Sequence, residues 1–221
     1  MLKRSSIILL FCVIAVVLWS CTDRNPSFRY KMTVYVSTPA GIQSGSSVTE
    51  MGVKQTISPA IDDALKILRF LSRGDAVFID LPDATLIATT WIPNGGGQVS
   101  GRAQQALDPK GAFGDSEGQF RSYYRLRRGK HSADLPRMYW PVLLTMDRNN
   151  DPATLRAVDP EEVGVTKISI ETTHEAATTD IEKRLGPLNA FASRVPQSVR
   201  KLCPYPTPYL FSWGAHLNKN W

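Results

Sequence analysis

The sequence contains few of the residues that build covalent or metal-bound sites. Its three cysteines are Cys12, Cys21 and Cys203, so only one lies beyond the first 21 residues. A single cysteine excludes an intramolecular disulfide framework and a cysteine metal site in the body of the chain. We predict that Cys203 is a small buried apolar side chain, with an intermolecular disulfide as the alternative.

Histidine is equally scarce. His131, His174 and His216 lie far apart and lack the spacing of metal ligands. The sequence therefore predicts neither a bound metal nor a cofactor, and each histidine is expected at the surface or hydrogen-bonded within the fold.

Long apolar runs are also missing. The longest, residues 7–19, has thirteen residues, whereas a membrane-spanning helix needs roughly 20. Lys3 and Arg4 precede the run and Ser20-Cys21 follows it, which is the layout of an export signal. Residues 18–21 resemble the lipobox of bacterial lipoproteins, although Trp19 departs from its small residues. Three outcomes stay open: lipidation of Cys21 after cleavage, an uncleaved anchor over residues 1–21, and release of the protein.

The composition is that of a globular protein. Apolar residues make up 43% of the 221 residues and charged residues 21%, which supports one ordinary domain with a real core. The net charge of +6 falls to +4 if Lys3 and Arg4 are removed. Outside the cytosol, this modest excess favours anionic lipid or envelope polymer over nucleic acid as a partner.

Alternating apolar residues predict several strands. The clearest covers residues 28–37, and residues 42–53 can return beside it as a hairpin. Residues 76–81 and 85–92 predict a second hairpin, and residues 139–146 and 165–172 two further strands. Helix start and stop signals with a helical stripe predict one covering helix over residues 58–73. Residues 175–185 also have helical content. The predicted class is α+β, with an antiparallel sheet built from hairpins.

Two polar segments imitate binding loops. Residues 94–118 contain seven glycines and are predicted to form a long loop, but they lack the lysine and hydroxyl of a phosphate-binding loop. Residues 147–151 spell the front half of a calcium loop, yet Pro152 replaces its glycine and Val158 its glutamate. We predict that the second segment caps its own backbone.

A basic cluster follows the glycine-rich segment. Its members are Arg121, Arg125, Arg127, Arg128 and Lys130, and they surround Phe120, Tyr123 and Tyr124. Basic residues between aromatics can contact anionic polymers, and in an exported protein an anionic membrane or envelope polymer is the expected partner. The alternative is an exposed edge without a partner.

Several short motifs, taken together, resemble a family of uncharacterised envelope proteins common in alphaproteobacteria. They are the first strand through Ser44-Gly45-Ser46, Gly74-Asp75-Ala76-Val77 with Asp80-Leu81-Pro82, Asp151-Pro152, Val158-Asp159-Pro160, and Thr178-Thr179 with Ile181-Glu182-Lys183-Arg184-Leu185. The resemblance runs from about Phe28 to Asn189. It implies an exported, membrane-associated body of mixed sheet and helix, and no reaction.

These observations divide the chain into a signal or anchor (residues 1–21), a tether (22–27), one α+β domain (28–189) and a tail rich in proline and aromatics (190–221). The tail can pack on its own domain, dock on another protein or extend without structure. We expect a membrane-anchored envelope protein, facing the periplasm or exterior, that binds or scaffolds. The alternative is an envelope hydrolase whose site is assembled only in the fold, for example His174 with Glu171 or Glu175 near a serine.

The anchor can be tested by intact mass. We expect protein extracted from membranes to lack residues 1–20 and to carry lipid, and a Cys21→Ala variant to show neither change. A full-length, unmodified mass for both proteins would instead identify residues 1–21 as an uncleaved anchor.

Overall fold

The structure is a computed structural model that describes residues 26–57, 66–93, 97–112, 116–147 and 149–213. The predicted signal segment with Cys21, the tether up to residue 25, and His216 lie outside the described residues. Strands β1 to β12 span Ser27–Thr38, Gly41–Ile57, Lys66–Asp75, Val77–Asp80, Thr85–Ala88, Trp91–Ile92, Gly97–Gln98, Ser132–Asp134, Leu143–Met146, Arg156–Ala157, Val165–Thr173 and Ser212–Trp213. Helices α1 to α7 span Val99–Leu107, Pro109–Ala112, Ser116–Arg128, Ile181–Leu185, Leu188–Arg194, Gln197–Arg200 and Pro208–Phe211.

The hairpin of β1 and β2 forms the centre of a six-stranded antiparallel sheet with the order β12-β3-β2-β1-β11-β8. Gly41, after the hairpin turn, has a φ of 117°, which glycine adopts at little cost. Alternate side chains of β1 are at most 5% exposed: Phe28, Tyr30, Met32, Val34 and Val36. The strands predicted at residues 28–37, 42–53 and 165–172 are confirmed.

The helix predicted over residues 58–73 is wrong from residue 66 onward. Lys66–Asp75 forms β3, which pairs with β2 from Ile57 opposite Lys66 to Glu50 opposite Arg73. Strand β2 has 17 residues and pairs with β1 along one edge. If a helix replaced β3, many backbone N–H and C=O groups along the other edge of β2 would have no hydrogen-bond partner. Residues 58–65, which contain the helix start signals, lie outside the described residues.

A second antiparallel sheet has the order β10-β9-β5-β4. Its hairpin of β4 and β5 confirms the second predicted hairpin as far as Ala88. The strand predicted at residues 139–146 is confirmed only for residues 143–146, which form β9, because Tyr139 ends a short 3-10 helix. Both faces of β5 are buried, since Leu86 and Ala88 contact a first core shared with β1, while Ile87 belongs to a second core. The four-stranded sheet is therefore a middle layer between the six-stranded sheet and the C-terminal helices. The α+β class is confirmed.

Helices α1 and α3 close the first core. Val99, Ala103 and Leu107 follow helical spacing on α1 and are buried, as are Tyr123 and Leu126 of α3. The prediction of residues 94–118 as a long loop is wrong, because the buried stripe and the helix-forming residues of α1 outweigh the glycines.

The C-terminal segment, residues 190–213, packs on the rest of the domain. Phe191, Val195, Leu210 and Phe211 are buried in the second core. The backbone N–H of Ala76 donates to the carbonyl of Phe211 at 2.7 Å, and that of Thr90 donates to the carbonyl of Leu210 at 3.0 Å. Strand β12 then pairs with β3. The described residues of the tail therefore pack on their own domain, which is the first of the three predicted alternatives.

Cys203 is a free cysteine buried in the second core, as predicted. Burial raises the pKa of its thiol, so the thiol stays protonated at neutral pH. None of the helices in the described part of the chain has the length and hydropathy needed to cross a membrane.

Phe211 tests the contribution of the C-terminal segment to the core. Its ring is fully buried and lies 5.4 Å from the ring of Phe191. We expect Phe211→Ala to lower the free energy of unfolding by about 3–5 kcal/mol, measured by urea denaturation. Met138→Ala is the control, because Met138 is 75% exposed and its loss should change stability by less than about 0.5 kcal/mol. Equal effects of the two changes would contradict this packing.

Candidate functional site

An open cleft lies between the hairpin of β6 and β7, helix α1 and the C-terminal segment. Its volume is about 520 Å³, within the range of about 300–1,000 Å³ found for small-molecule sites. Amide and aromatic side chains dominate its lining, with one guanidinium: Trp91, Gln98, Arg102, Gln104, Gln105 and Tyr205. We call this site the amide cleft.

Helix α1 supplies most of the polar lining. Positions 98, 101, 102 and 105 follow the spacing of one helix face, and all four line the cleft. Gly101 leaves this face open, because no atom lies within 4 Å of where its side chain would begin. The opposite positions of α1 are in the first core. The amphipathic pattern of α1 therefore directs its amides into the cleft.

Hydrogen bonds hold two of these amides by their oxygen atoms. The Oε1 of Gln98 accepts from the hydroxyls of Ser72 at 3.2 Å and Ser100 at 3.0 Å. The Oε1 of Gln105 accepts from Nη1 of Arg102 at 2.8 Å. The NH₂ groups of Gln98 and Gln105 have no partner among the described residues, so each can donate to a ligand.

The guanidinium of Arg102 is itself held in place. Its Nη1 donates to Gln105, and its central carbon lies 4.9 Å from the ring centroid of Tyr139. A cation over an aromatic face is stabilised by the ring quadrupole. Arg102 is thus positioned by two protein contacts.

Gln104 is the most unusual residue of the cleft. It is only 5% exposed, and its Nε2 is buried without a hydrogen-bond partner among the described residues. Leaving a buried donor unsatisfied costs about 1–3 kcal/mol. A bound ligand or an ordered water can supply the missing acceptor.

Tyr205 forms the aromatic side of the cleft. Its side chain is 51% exposed, and its ring centroid lies 5.5 Å from that of Trp91 and 5.9 Å from that of Tyr209. Prolines on both sides of Tyr205 restrict its backbone. The tail, for which docking on another protein was one of three predicted alternatives, thus places one exposed ring beside the amides.

The amide cleft lacks groups for acid–base chemistry near neutral pH. Among the described residues that line it, none is aspartate, glutamate, histidine, cysteine or lysine. General acid–base catalysis needs a group whose pKa lies near the working pH. The described lining therefore offers hydrogen-bond donors and aromatic surface to a ligand.

Asp108 holds the helices around the cleft in position. Its Oδ2 accepts from Oγ of Ser122 at 2.7 Å and from Nη2 of Arg125 at 2.7 Å, and its Oδ1 accepts from the N–H of Gly111 at 3.1 Å. Burial raises the pKa of Asp108, but the hydrogen bonds from Arg125, Ser122 and Gly111 outweigh it, so the pKa is lowered. The carboxylate thus joins α1, α2 and α3.

The predicted basic cluster lies on and just after α3, and its members have different environments. Arg121 pairs with Glu117 on the same helix, and Arg125 pairs with Asp108. Arg127, Arg128 and Lys130 are exposed at the C-terminal end of the helix. The neighbouring aromatics pack inward, with Tyr123 in the first core and Phe120 against Tyr124. Tyr123 is therefore not available to a partner, and the anionic-surface contact predicted for the basic residues stays a prediction.

A polar pocket of about 230 Å³ lies beside His174 and includes Ser27 and Glu50. Oγ of Ser27 donates to Glu50 at 3.0 Å, and Arg29 donates to the same carboxylate at 3.3 Å. The imidazole of His174 has no hydrogen-bond partner among the described residues, although its backbone carbonyl accepts from Arg29. The pocket expected for the hydrolase alternative exists, but the described contacts do not connect its serine with its histidine.

A wider groove, of about 850 Å³, lies between the β1–β2 turn and residues 161–164. Three of its charged side chains are paired: Arg156 with Glu162 at 2.6 Å, and Glu161 with Arg137. In the adjoining loop, Asp147 accepts from the N–H of Asp151, which confirms that this loop caps its own backbone. Of the residues that the structure describes, no three or more His, Cys, Asp and Glu residues are grouped to hold a metal.

Comparison with known proteins adds no relative. No protein-family model matches the chain, no curated protein matches its sequence, and no solved structure matches its fold. The family resemblance seen in the sequence therefore stays a prediction, and function must be argued from the geometry of the sites.

The glutamines of the amide cleft were missed in the sequence. Gln98, the residue before α1, and Gln105 on α1 are seven positions apart, which is about two helical turns, and this spacing is the signal that could have indicated a shared face. The interpretation of residues 94–118 as a loop concealed it. Tyr205, which follows Gln105 by 100 positions in the sequence, could not be connected with these glutamines before the fold was known.

We expect Asp108→Asn to lower the free energy of unfolding at pH 7 by about 1–2 kcal/mol, because it weakens the hydrogen bonds from Ser122, Arg125 and Gly111. The loss is modest because solvent at Arg125 screens the ion pair. The folded pKa of Asp108 lies below its unfolded value of about 3.9, so this stabilisation is complete above about pH 5 and is lost as pH falls through the folded pKa. Urea denaturation between pH 3 and pH 7 measures both effects. Asp83→Asn, at an exposed carboxyl, is the control. A difference between wild type and Asp108→Asn that did not shrink at low pH would contradict the role of the charge.

Proposed function

We propose that this chain is a membrane-anchored binding module of the bacterial cell envelope that holds its ligand in the amide cleft. The observation that carries the proposal is the cleft lining, where amide donors and aromatic rings converge. Pockets with a few convergent polar groups and aromatic walls are typical of small-molecule or polymer recognition.

The position of the basic residues supports a membrane-facing end. Ser27 is the first residue of β1, and Arg127 lines the same pocket as Ser27. The C-terminal end of α3, with Arg128 and Lys130 beside Arg127, therefore lies close to the point where the predicted tether joins the domain. Each basic side chain near an anionic bilayer contributes about 1 kcal/mol. An anchor at Cys21 would hold this end of the domain near the lipid.

The pocket beside His174 supports the second candidate, an envelope hydrolase. Ser27, Glu50 and His174 line one polar pocket, and small movements can bring such groups together when substrate binds. The hydroxyl of Ser27, however, donates to the carboxylate of Glu50 and not to His174, so the described contacts do not form the serine–histidine pair of this alternative. The binding function is favoured because the amide cleft contains a buried donor without a partner among the described residues, whereas Ser27 and His174 are not joined by a described hydrogen bond.

Co-sedimentation with insoluble, lipid-extracted envelope fragments tests the proposal. We expect the detergent-solubilised full chain to pellet with the fragments, and Tyr205→Ala to weaken this binding about ten-fold, because an exposed aromatic ring at a binding site is a typical hot spot. Ile42→Ala is the matched control, since Ile42 is 74% exposed on the β1–β2 hairpin.

The same preparations should be assayed for hydrolysis of a generic ester and of the envelope polymer. We expect rates equal to those without protein, and no change in His174→Ala or Ser27→Ala. Turnover that His174→Ala abolishes would contradict the binding function and establish the hydrolase. Equal pelleting of wild type and Tyr205→Ala would remove the amide cleft from the proposal.

A further inference from the structure

The amide cleft presents an excess of hydrogen-bond donors. The oxygen of Gln105 is occupied by Arg102, and that of Gln98 by two serine hydroxyls. Their NH₂ groups and the buried Nε2 of Gln104 have no partner among the described residues. Each amide nitrogen carries two donors. A fitting ligand therefore has several closely spaced acceptor oxygens.

The charge of the cleft disfavours a cationic ligand. Arg102 is the only fully charged side chain among the described lining residues, and it is already bound to Gln105 and lies over the ring of Tyr139. No acidic group is present in that lining to attract a cation. Neutral acceptor groups such as hydroxyl and amide oxygens match these donors without burying an unpaired charge.

Tyr205 adds an apolar platform beside the donors. Its half-exposed ring is supported edge to face by Trp91. A pyranose ring has C–H groups on its faces and hydroxyl oxygens around its rim, so one face can pack on an aromatic ring while the rim bonds to amides. A peptide added to a sheet edge instead needs several consecutive unpaired backbone groups, and strands β6 and β7 have only two residues each.

We infer that the amide cleft binds a short segment of an uncharged glycan, with a pyranose unit stacked on Tyr205 and its oxygens bonded by Gln98, Gln104 and Gln105. This inference rests on the proposed binding function and names its ligand class. In this arrangement the side chain of Gln104 turns toward the cleft, because its Nε2 is enclosed in the ligand-free fold, and the ligand then supplies the acceptor that this nitrogen lacks.

Gln104→Leu separates binding from folding. Leucine has a similar size and removes the unsatisfied donor, so the melting temperature should stay unchanged or rise. Loss of the hydrogen bond to the ligand should weaken binding about ten-fold. Gln197→Leu, at an exposed glutamine of α6, is the matched control and should change neither quantity appreciably.

Isothermal titration calorimetry of the full chain, in a detergent without a sugar headgroup, provides the test. The probes are chitotetraose, cellotetraose, a capped tetra-alanine peptide and inorganic phosphate. We expect at least one oligosaccharide to bind with a Kd of about 1 mM or tighter, and both Gln104→Leu and the exposed variant Tyr205→Ala to weaken it. The peptide and phosphate should not compete.

The inference is overturned if neither oligosaccharide binds, if Gln104→Leu retains its melting temperature and wild-type affinity, or if only the peptide or phosphate binds. If Gln104→Leu does not fold, the test rests on Tyr205→Ala, and wild-type sugar affinity in that variant overturns the inference. If no sugar binds while Tyr205→Ala still reduces co-sedimentation with envelope fragments, the glycan assignment alone is wrong. If His174-dependent turnover appears instead, the proposed binding function fails.

Discussion

The backbone and side chain of Asp75 connect the layers of the molecule at the end of β3. The carbonyl of Asp75 accepts from Oγ of Ser47 at 2.7 Å, and its Oδ2 accepts from the N–H of Ile181 at 3.0 Å. In the sheet it lies opposite Ser212 of β12. Asp75 is only 2% exposed, so each bond is made away from water, where an unsatisfied donor is costly. The central hairpin, the first turn of α4 and the end of the chain are thus positioned by one buried residue.

The amide cleft depends on this junction although Asp75 does not line it. The C-terminal segment leaves the second core at Cys203, forms the aromatic side of the cleft at Tyr205, and returns to bond Thr90 through the carbonyls of Tyr209 and Leu210. Helix α1 begins immediately after β7, whose partner strand contains Trp91. The two sides of the cleft therefore come from segments distant in sequence that are joined by core packing. Asp108 fixes α2 and α3 against α1 on the remaining side.

Sequence patterns correctly predicted the elements whose apolar residues repeat with a single clear period, either that of a strand or that of a helix. In β1 five apolar residues alternate with polar ones, so only an extended strand buries them together. Residues 66–73 also permit a helical stripe, and the choice was decided by the unpaired edge of β2, which no local pattern reveals. The helix at residues 99–107 was missed because the surrounding glycines suggested a loop. Its buried Val99, Ala103 and Leu107 show that packing outweighed that local signal.

The packing of the C-terminal segment also orders events in time. Strand β12, near the end of the described chain, pairs with β3, and the second core needs Leu210 and Phe211 together with Ile87 of β5. Contacts between such distant residues form late, because the intervening chain must first be closed into a loop. During synthesis from the N-terminus, the cover on the second face of the middle sheet is therefore incomplete until Leu210 and Phe211 have been made. The described members of the first core end at Ile170, so that core can form before the C-terminal segment exists.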